Sequence, residues 1–180
     1  MNIVEIFFNS LYLIFSLNSN LWEIISLSLF VSLAALLIGS FLGILLGYYL
    51  ALKQFFLKNL LLVILNSLMG VPPVVVGLIV YFIFASGGPL GVLQLLYTPS
   101  AMIIAQIIII FPIVASLSHE IFLKNWLEFR DQIRSLNIPF WGSAKLLFHH
   151  SYFLLITTLL SAFGRAISEV GAVMIVGGNI

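Results

Sequence analysis

Long stretches of this sequence contain almost no charged residues. Four of them are long enough for a membrane-spanning helix, which needs roughly 20 apolar residues, and they cover residues 22–52, 59–85, 100–118 and 148–176. Only 7% of the 180 residues are charged, whereas a soluble domain carries about 25%. A soluble fold so poor in charge would not cover its own surface. We therefore predict an all-α membrane protein, a polytopic helical bundle of about four spans that forms one transmembrane domain over residues 1–180.

The first apolar run, residues 3–17, is short for a complete span. No basic residue precedes it, it contains Glu5, and it lacks the small-residue cleavage site of a secretory signal peptide. We expect a short N-terminal helix here. The sequence leaves open whether this helix lies at the membrane interface or packs against the bundle.

Basic residues fall in alternate loops between the predicted spans. Lys53 and Lys58 follow the first span. Four more lie between the third and fourth spans: Lys124, Arg130, Arg134 and Lys145. The loop at residues 86–99 has none. Because cytoplasmic loops carry an excess of Lys and Arg, we predict that the two basic loops are cytoplasmic and that the N-terminus lies outside.

One segment, residues 119–147, holds seven of the thirteen Lys, Arg, Asp and Glu residues. Apolar residues recur there at helical spacing: Trp126, Phe129, Ile133 and Leu136. Pro139 then ends or kinks the helical pattern. We predict a short amphipathic helix in a cytoplasmic loop. Such a helix can lie on the lipid or dock into a groove on a partner, and an ordinary solvated loop is the alternative.

Prolines interrupt two of the predicted spans. Pro72 and Pro73 lie in the middle of the second span, and Pro112 lies in the third. Each lacks a backbone donor and collides with the preceding turn. A helix broken at membrane depth is tolerated where protein or a water-filled cavity receives the freed carbonyls. We take these prolines as candidate residues of a translocation pathway or gate, with a simple packing kink as the alternative.

Three glycines in the first span, Gly39, Gly43 and Gly47, repeat every four residues. A stripe of small residues lets another helix approach closely. We expect that helix to come from the same chain, and a second copy is the alternative.

Arg165 and Glu169 are the two ionisable side chains deep in the fourth apolar stretch. A lone charge in the bilayer costs ~2.5–3.5 kcal/mol on insertion scales. Residues four apart share a helix face, so we expect an internal ion pair. The alternative is that Arg165 contacts an anion in transit, and both residues are candidates for the pathway.

Several kinds of chemistry have no sequence support. The chain has no cysteine and a net charge of +1, which argues against thiolate metal sites and against a nucleic-acid partner. It contains no P-loop and no G-x-S-x-G stretch, and the His119 segment "HEIFL" lacks the second histidine of a zinc-protease helix. We therefore predict no catalytic residue, no metal ligand and no cofactor, and we favour a transporter driven by a partner over an enzyme.

The cytoplasmic segment resembles the coupling loop of ABC-importer permeases. That signature reads Glu-Ala-Ala, three residues, Gly, nine residues, Ile, one residue, Leu-Pro. Asp131-Gln132-Ile133, Asn137, Leu147 and His149-His150 hold the corresponding places. Asn at the glycine place also tolerates a left-handed backbone. The stretches "MGVPPVVVGLIVYFIFASGGPLG", "TPSAMIIAQIIIIFPIVASL" and "GRAISEVGAVMIVGGNI" resemble the membrane subunit of tungstate importers, a branch close to molybdate and sulfate permeases.

This resemblance implies a type I ABC-importer permease fold and a set of partners. The permease would form a homodimer with a central path in the lipid bilayer. Two ABC ATPase subunits would bind underneath, and an extracytoplasmic oxyanion-binding protein would deliver the anion. Apolar knobs Phe129, Ile133 and Leu136 would enter the ATPase groove, while Arg130, Asp131 and Arg134 would fix register at its rim. The same architecture for molybdate or another solute is one alternative, and a membrane assembly protein without a pathway is another.

The C-terminal sequence "VGGNI" gives a further expectation. Gly177 and Gly178 are typical of a helix end followed by a turn, and the related permeases continue from this motif into one more span. We therefore expect a C-terminally truncated permease that lacks roughly 50 residues, a loop plus one ~20-residue span.

Overall fold

The computed structural model describes residues 19–178, and no strand occurs among them. Six α-helices follow one another in this range: α1 (Ser19–Leu52), α2 (Lys58–Met69), α3 (Pro73–Phe84), α4 (Pro99–Ser135), α5 (Phe140–Ser168) and α6 (Gly171–Gly177). A 3₁₀ turn at Gly91–Leu93 lies in the connection from α3 to α4. The predicted all-α bundle is confirmed. The N-terminal helix expected at residues 3–17 lies outside the described residues.

Three of these helices are long and apolar enough to cross a membrane. They cover Leu21–Leu52, Pro99–Ser135 and Trp141–Ser168. Helices α2 and α3 pass the same test only together, and their axes meet at a bend of 103°. The described residues therefore supply three such helices, or up to four if the bent pair counts as one span, in line with the predicted number.

Helix α4 is the centre of the bundle. It contacts each of α1, α2, α3, α5 and α6. Its 37 residues extend over about 55 Å at ~1.5 Å per residue, beyond the ~30 Å of a hydrocarbon core. Small residues on its surface, such as Ala101, Ala105 and Ala115, are completely buried and let neighbouring helices pack closely.

The segment predicted as a long loop, residues 119–147, is mostly helical. Helix α4 continues without interruption to Ser135, and α5 already begins at Phe140. The physical reason is that the core does not end where the charges begin. Phe122 and Leu147 are fully buried, and they pack with Tyr48 at the end of α1. The amphipathic stripe therefore extends a membrane helix instead of forming a separate short one.

The glycine stripe of α1 faces α4 of the same chain. A Cβ atom on Gly43 would lie 2.9 Å from Val114 Cβ, and one on Gly47 would lie 2.8 Å from the carbonyl oxygen of Ala115. In lipid, helices associate through close packing because no hydrophobic gain is available between apolar surfaces. The expectation that this stripe receives a helix of the same chain is confirmed.

Helices α3 and α6 pack together on the N-terminal half of α4. Val80 of α3, Ala105 of α4 and Val176 of α6 belong to one buried cluster. A Cβ atom on Gly77 would lie 2.8 Å from Ala172 Cα, so α3 and α6 nearly touch backbone to backbone. This contact fixes α6 beside the bent pair although α6 has only seven residues.

Candidate functional site

The turn between α4 and α5 is closed by a Schellman arrangement of hydrogen bonds. The N–H of Ile138 donates to the Ile133 carbonyl at 3.0 Å, and the N–H of Asn137 donates to the Arg134 carbonyl at 3.1 Å. Asn137 has a positive φ of 50°. Helices that end in this way usually have glycine at that position, and Asn is the common substitute. The left-handed backbone expected at Asn137 is thus present, and Pro139 follows as the N-cap of α5.

The apolar stripe before this turn is largely used by the chain's own core. Ile133 is only 5% exposed, and Phe129 and Trp126 are half-buried against the Tyr48–Phe122–Leu147 cluster. The Phe129 ring also lies 4.6 Å, centroid to centroid, from the His150 ring. The expectation that Phe129 and Ile133 project as surface knobs is therefore wrong for Ile133 and holds only in part for Phe129. The stripe faces inward because α4 remains helical and packs on α1 and α5.

Two large apolar side chains at the turn do project outward. Leu136 is 71% exposed and Trp141 is 82% exposed. Leu136 was among the predicted knobs, whereas Trp141 was missed. Little in the sequence indicates Trp141, because this residue lies beyond Pro139, at which the predicted helix ends. Together they form an apolar tip on the α4–α5 turn.

Charged residues precede this tip in the last turns of α4. Arg130 Nε lies 3.6 Å from Asp131 Oδ1, and both side chains are exposed. Exposed pairs of this kind contribute ~0–1 kcal/mol to stability, so the fold gains little from them. Arg134 and Lys53 line a cleft of about 360 Å³ beside the turn. The turn therefore presents an apolar tip, a mixed-charge rim and a basic cleft.

The Pro72–Pro73 pair divides the second predicted span as expected. Helix α2 ends at Met69, and Pro73 occupies the first turn of α3, where a missing backbone N–H is harmless. Pro72 has an extended ψ of 129°, which turns the chain between the two helices. The result is the bend of 103°, so the prediction of a broken helix at Pro72 and Pro73 is confirmed.

Pro112 behaves differently from the other two prolines. It lies inside α4, and the helix continues through it. A proline within a helix costs ~3 kcal/mol, but Pro112 is fully buried in α4, which contacts each of the other five described helices. The expectation that Pro112 breaks the third span is wrong, because tertiary packing holds α4 together on both sides of it.

Arg165 and Glu169 do not form the expected ion pair. Helix α5 ends at Ser168, and Glu169 has extended backbone angles, φ −88° and ψ 92°. The two residues therefore no longer share a helix face. Among residues 19–178 the one salt bridge within 4.0 Å is Arg130–Asp131. Glu169 Oε1 instead accepts a hydrogen bond from the Ala172 N–H at 3.3 Å, and Arg165 is exposed.

A cavity of about 280 Å³ lies at the break between α5 and α6. Glu169, Gln106, Ser28 and Ser32 are its polar lining residues, and the rest of the lining is apolar or glycine. Gln106 is 3% exposed and donates from Nε2 to the Ala166 carbonyl at 3.2 Å and to Ser32 Oγ at 3.5 Å. Sequence reasoning missed Gln106, although a single amide within "AMIIAQIIIIF" was a visible signal.

The sequence of this chain matches the profile of a known protein family. The profile of the family described as "Binding-protein-dependent transport system inner membrane component" matches residues 39–180. The chain belongs to this family. The matched range includes the α4–α5 turn, the prolines Pro72, Pro73 and Pro112, and the cavity residues Gln106 and Glu169. Because it also has several helices that are able to span a bilayer, the permease is a multi-pass membrane protein.

Individual proteins similar to this chain are also named as permeases. The permease is 40% identical over 178 residues to the tungstate uptake system permease protein TupB of Peptoclostridium acidaminophilum, covering 99% of this chain and 78% of that protein. It is 38% identical to the "Probable anion ABC transporter permease protein" of Haloferax volcanii, covering 88% of this chain and 68% of that protein. It is 35% identical to TupB of Campylobacter jejuni over 71% of this chain and 53% of that protein. The predicted resemblance to ABC-importer permeases is confirmed.

Proposed function

We propose that the chain is the membrane-spanning permease subunit of an ATP-driven tungstate importer. The observation that carries this proposal is the 40% identity, along 99% of the chain, to a tungstate uptake permease. A second tungstate uptake permease, at 35% identity, supports it. The relative in Haloferax volcanii is named only as an anion permease, so molybdate is the second candidate substrate.

The proposal includes separate partners. An ABC ATPase subunit would hydrolyse ATP, which is consistent with a sequence that contains no P-loop. An extracytoplasmic binding protein would deliver the oxyanion, and the family description, "Binding-protein-dependent transport system", supports this partner. A second copy of the chain would complete a homodimer around the central path in the bilayer. The distribution of basic residues supports an N-terminus outside the cell.

Within this proposal the α4–α5 turn is the docking site for the ATPase. Leu136 and Trp141 provide the exposed apolar tip. Arg130, Asp131 and Arg134 lie at its rim and would fix the register. Three other residues would support the turn without contacting the ATPase. Phe129 and Ile133 pack on the core, and Asn137 sets the shape of the turn.

The pathway candidates are the interrupted helices. The Pro72–Pro73 bend exposes a break in α2–α3, and Pro112 belongs to α4, on which this pair packs. Arg165 is exposed and has no ion-pair partner among the described residues, so its charge is available to an anion in transit. Glu169 lies at the second break, between α5 and α6.

Uptake of labelled anion tests the proposed function directly. Cells that lack the gene for this chain, with and without a plasmid copy, would be given radiolabelled tungstate or molybdate at equal concentrations. We expect restored tungstate uptake with the plasmid and little competition by excess molybdate. Equal loss and restoration of molybdate uptake would favour the second substrate, and unchanged uptake of both anions would contradict the proposal.

A further inference from the structure

The cavity at the α5–α6 break has a lining that is unsuited to an anion. Its polar groups are the Glu169 carboxylate, the Gln106 amide and the hydroxyls of Ser28 and Ser32. Among residues 19–178, no Lys, Arg or His belongs to this lining. A carboxylate repels an oxyanion, so the cavity is not a resting place for tungstate. Its chemistry calls for a ligand of the opposite charge.

Gln106 provides the second, independent observation. A carbonyl oxygen only accepts hydrogen bonds, so the bond to the Ala166 carbonyl fixes which end of the amide is Nε2. Gln106 Oε1 is then left without a hydrogen-bond partner among the described residues, although the side chain is 3% exposed. A buried acceptor left in this state costs ~1–3 kcal/mol. An electropositive group beside Oε1 would remove this cost.

The carboxylate of Glu169 also favours an electropositive partner. Within the described range its carboxylate accepts one hydrogen bond, from the Ala172 N–H, and it forms no ion pair within 4.0 Å. The C-terminal end of α5, which carries about −0.5 charge from its aligned peptide dipoles, ends one residue earlier, at Ser168. Broken helices in membranes use C-terminal ends and unwound backbone in this way to bind Na⁺.

We infer that the cavity at the α5–α6 break binds one monovalent metal cation, through the carboxylate of Glu169, Oε1 of Gln106 and the hydroxyl of Ser32. All of these are oxygen donors, the kind that hard cations prefer. A single carboxylate in the lining balances one positive charge, which matches a monovalent ion. Bound there, the cation would join α1, α4 and the α5–α6 break.

Binding of ²²Na⁺ to the purified full chain in detergent, in sodium-free choline buffer, tests this inference. We expect saturable binding of one ion per chain that excess unlabelled Na⁺ displaces and excess choline does not. Glu169→Gln and Gln106→Met should each weaken binding at least tenfold. Matched controls at exposed positions, Glu128→Gln and Gln54→Met, should bind like the wild type.

Folding is checked by helicity and gel filtration in the same buffer. Should Gln106→Met lose its fold, Ser32→Ala removes one oxygen with little change in packing and should weaken binding several-fold. Absence of saturable binding in folded wild-type protein would overturn the inference, as would displacement by choline or wild-type affinity in Glu169→Gln. The assay contains neither tungstate nor ATPase, so its outcome is separate from that of the uptake experiment.

Discussion

At Gly47 the backbones of two helices come into contact. A Cβ atom at this position would lie 2.8 Å from each of three atoms of α4: Ala115 O, His119 N and Ser118 Cβ. Two of these belong to the backbone of the central helix and cannot rotate away. Residues of this kind decide whether α1 and α4 can pack at all, because a single methyl group is larger than the space available.

We expect Gly47→Ala to lower stability by ~1–3 kcal/mol through overpacking. Gly164→Ala on α5 is the matched control, since a Cβ there meets nothing within 4 Å and alanine favours a helix over glycine. Thermal unfolding of both purified variants in the same detergent gives the comparison. A Gly47→Ala protein as stable as the wild type would show that α1 and α4 are not so closely packed.

Asn137 carries a second prediction at the residue scale. Its positive φ costs a β-branched residue roughly 1–2 kcal/mol, whereas glycine adopts it freely. Asn137→Gly should therefore keep or slightly raise the melting temperature, and Asn137→Val should lower it. If both variants melted at the same temperature, the left-handed turn would not be the conformation in solution.

At the scale of helices, continuity and interruption were the features hardest to predict. The bend at Pro72–Pro73 could be predicted because two consecutive prolines leave an α-helix no alternative. The continuity through Pro112 and the end of α5 at Ser168 could not, because each depends on packing between residues far apart in sequence. The Arg165–Glu169 pair was inferred from spacing alone, and spacing has no meaning once the helix ends between the two residues.

The exposed tip of the α4–α5 turn gives a prediction for assembly. Leu136→Asp should abolish co-purification of the ATPase and leave membrane insertion intact, because Leu136 is exposed and its replacement leaves no cavity. Val92→Asp is the matched control, an exposed apolar residue in the α3–α4 connection. The two variants are compared by pull-down of the tagged permease, with the ratio of ATPase to permease measured on a gel.

Ile133→Asp should behave differently from Leu136→Asp. Its side chain is buried, so an aspartate would place an unpaired charge in the core, and the amount of permease itself should fall. Wild-type subunit ratios in Leu136→Asp would reject this turn as the docking site.

At the scale of the whole molecule, the helical class and the number of spans followed from the sequence, since apolar length is enough to define them. The central position of α4 did not, because nothing in the sequence "AMIIAQIIIIFPIVASL" separates a helix buried on all sides from one facing lipid. The candidate site was predicted in outline: the turn and its Asn137 were found, but burial of Ile133 and the roles of Gln106 and Trp141 depend on the tertiary structure.

The orientation of the whole chain is a prediction that the absence of cysteine makes easy to test. Single cysteines at Gly87 and at Phe56 would both be accessible, since the first has open space around it and the second is almost fully exposed. We expect a membrane-impermeant maleimide to label Gly87→Cys in intact cells and Phe56→Cys only after permeabilisation. The reverse pattern would place the basic loops outside.

The unbroken length of α4 has a mechanical consequence. Two pairs of neighbouring helices are interrupted, α2–α3 at the prolines and α5–α6 at Glu169, whereas α4 is continuous from Pro99 to Ser135, as is α1 from Ser19 to Leu52. If a rigid helix about 55 Å long tilts by about 5° around its midpoint, its two ends move by about 2 Å in opposite directions. A displacement of the α4–α5 turn would therefore move the other end of α4 in the opposite direction. The interrupted helices packed on α4 would move with it.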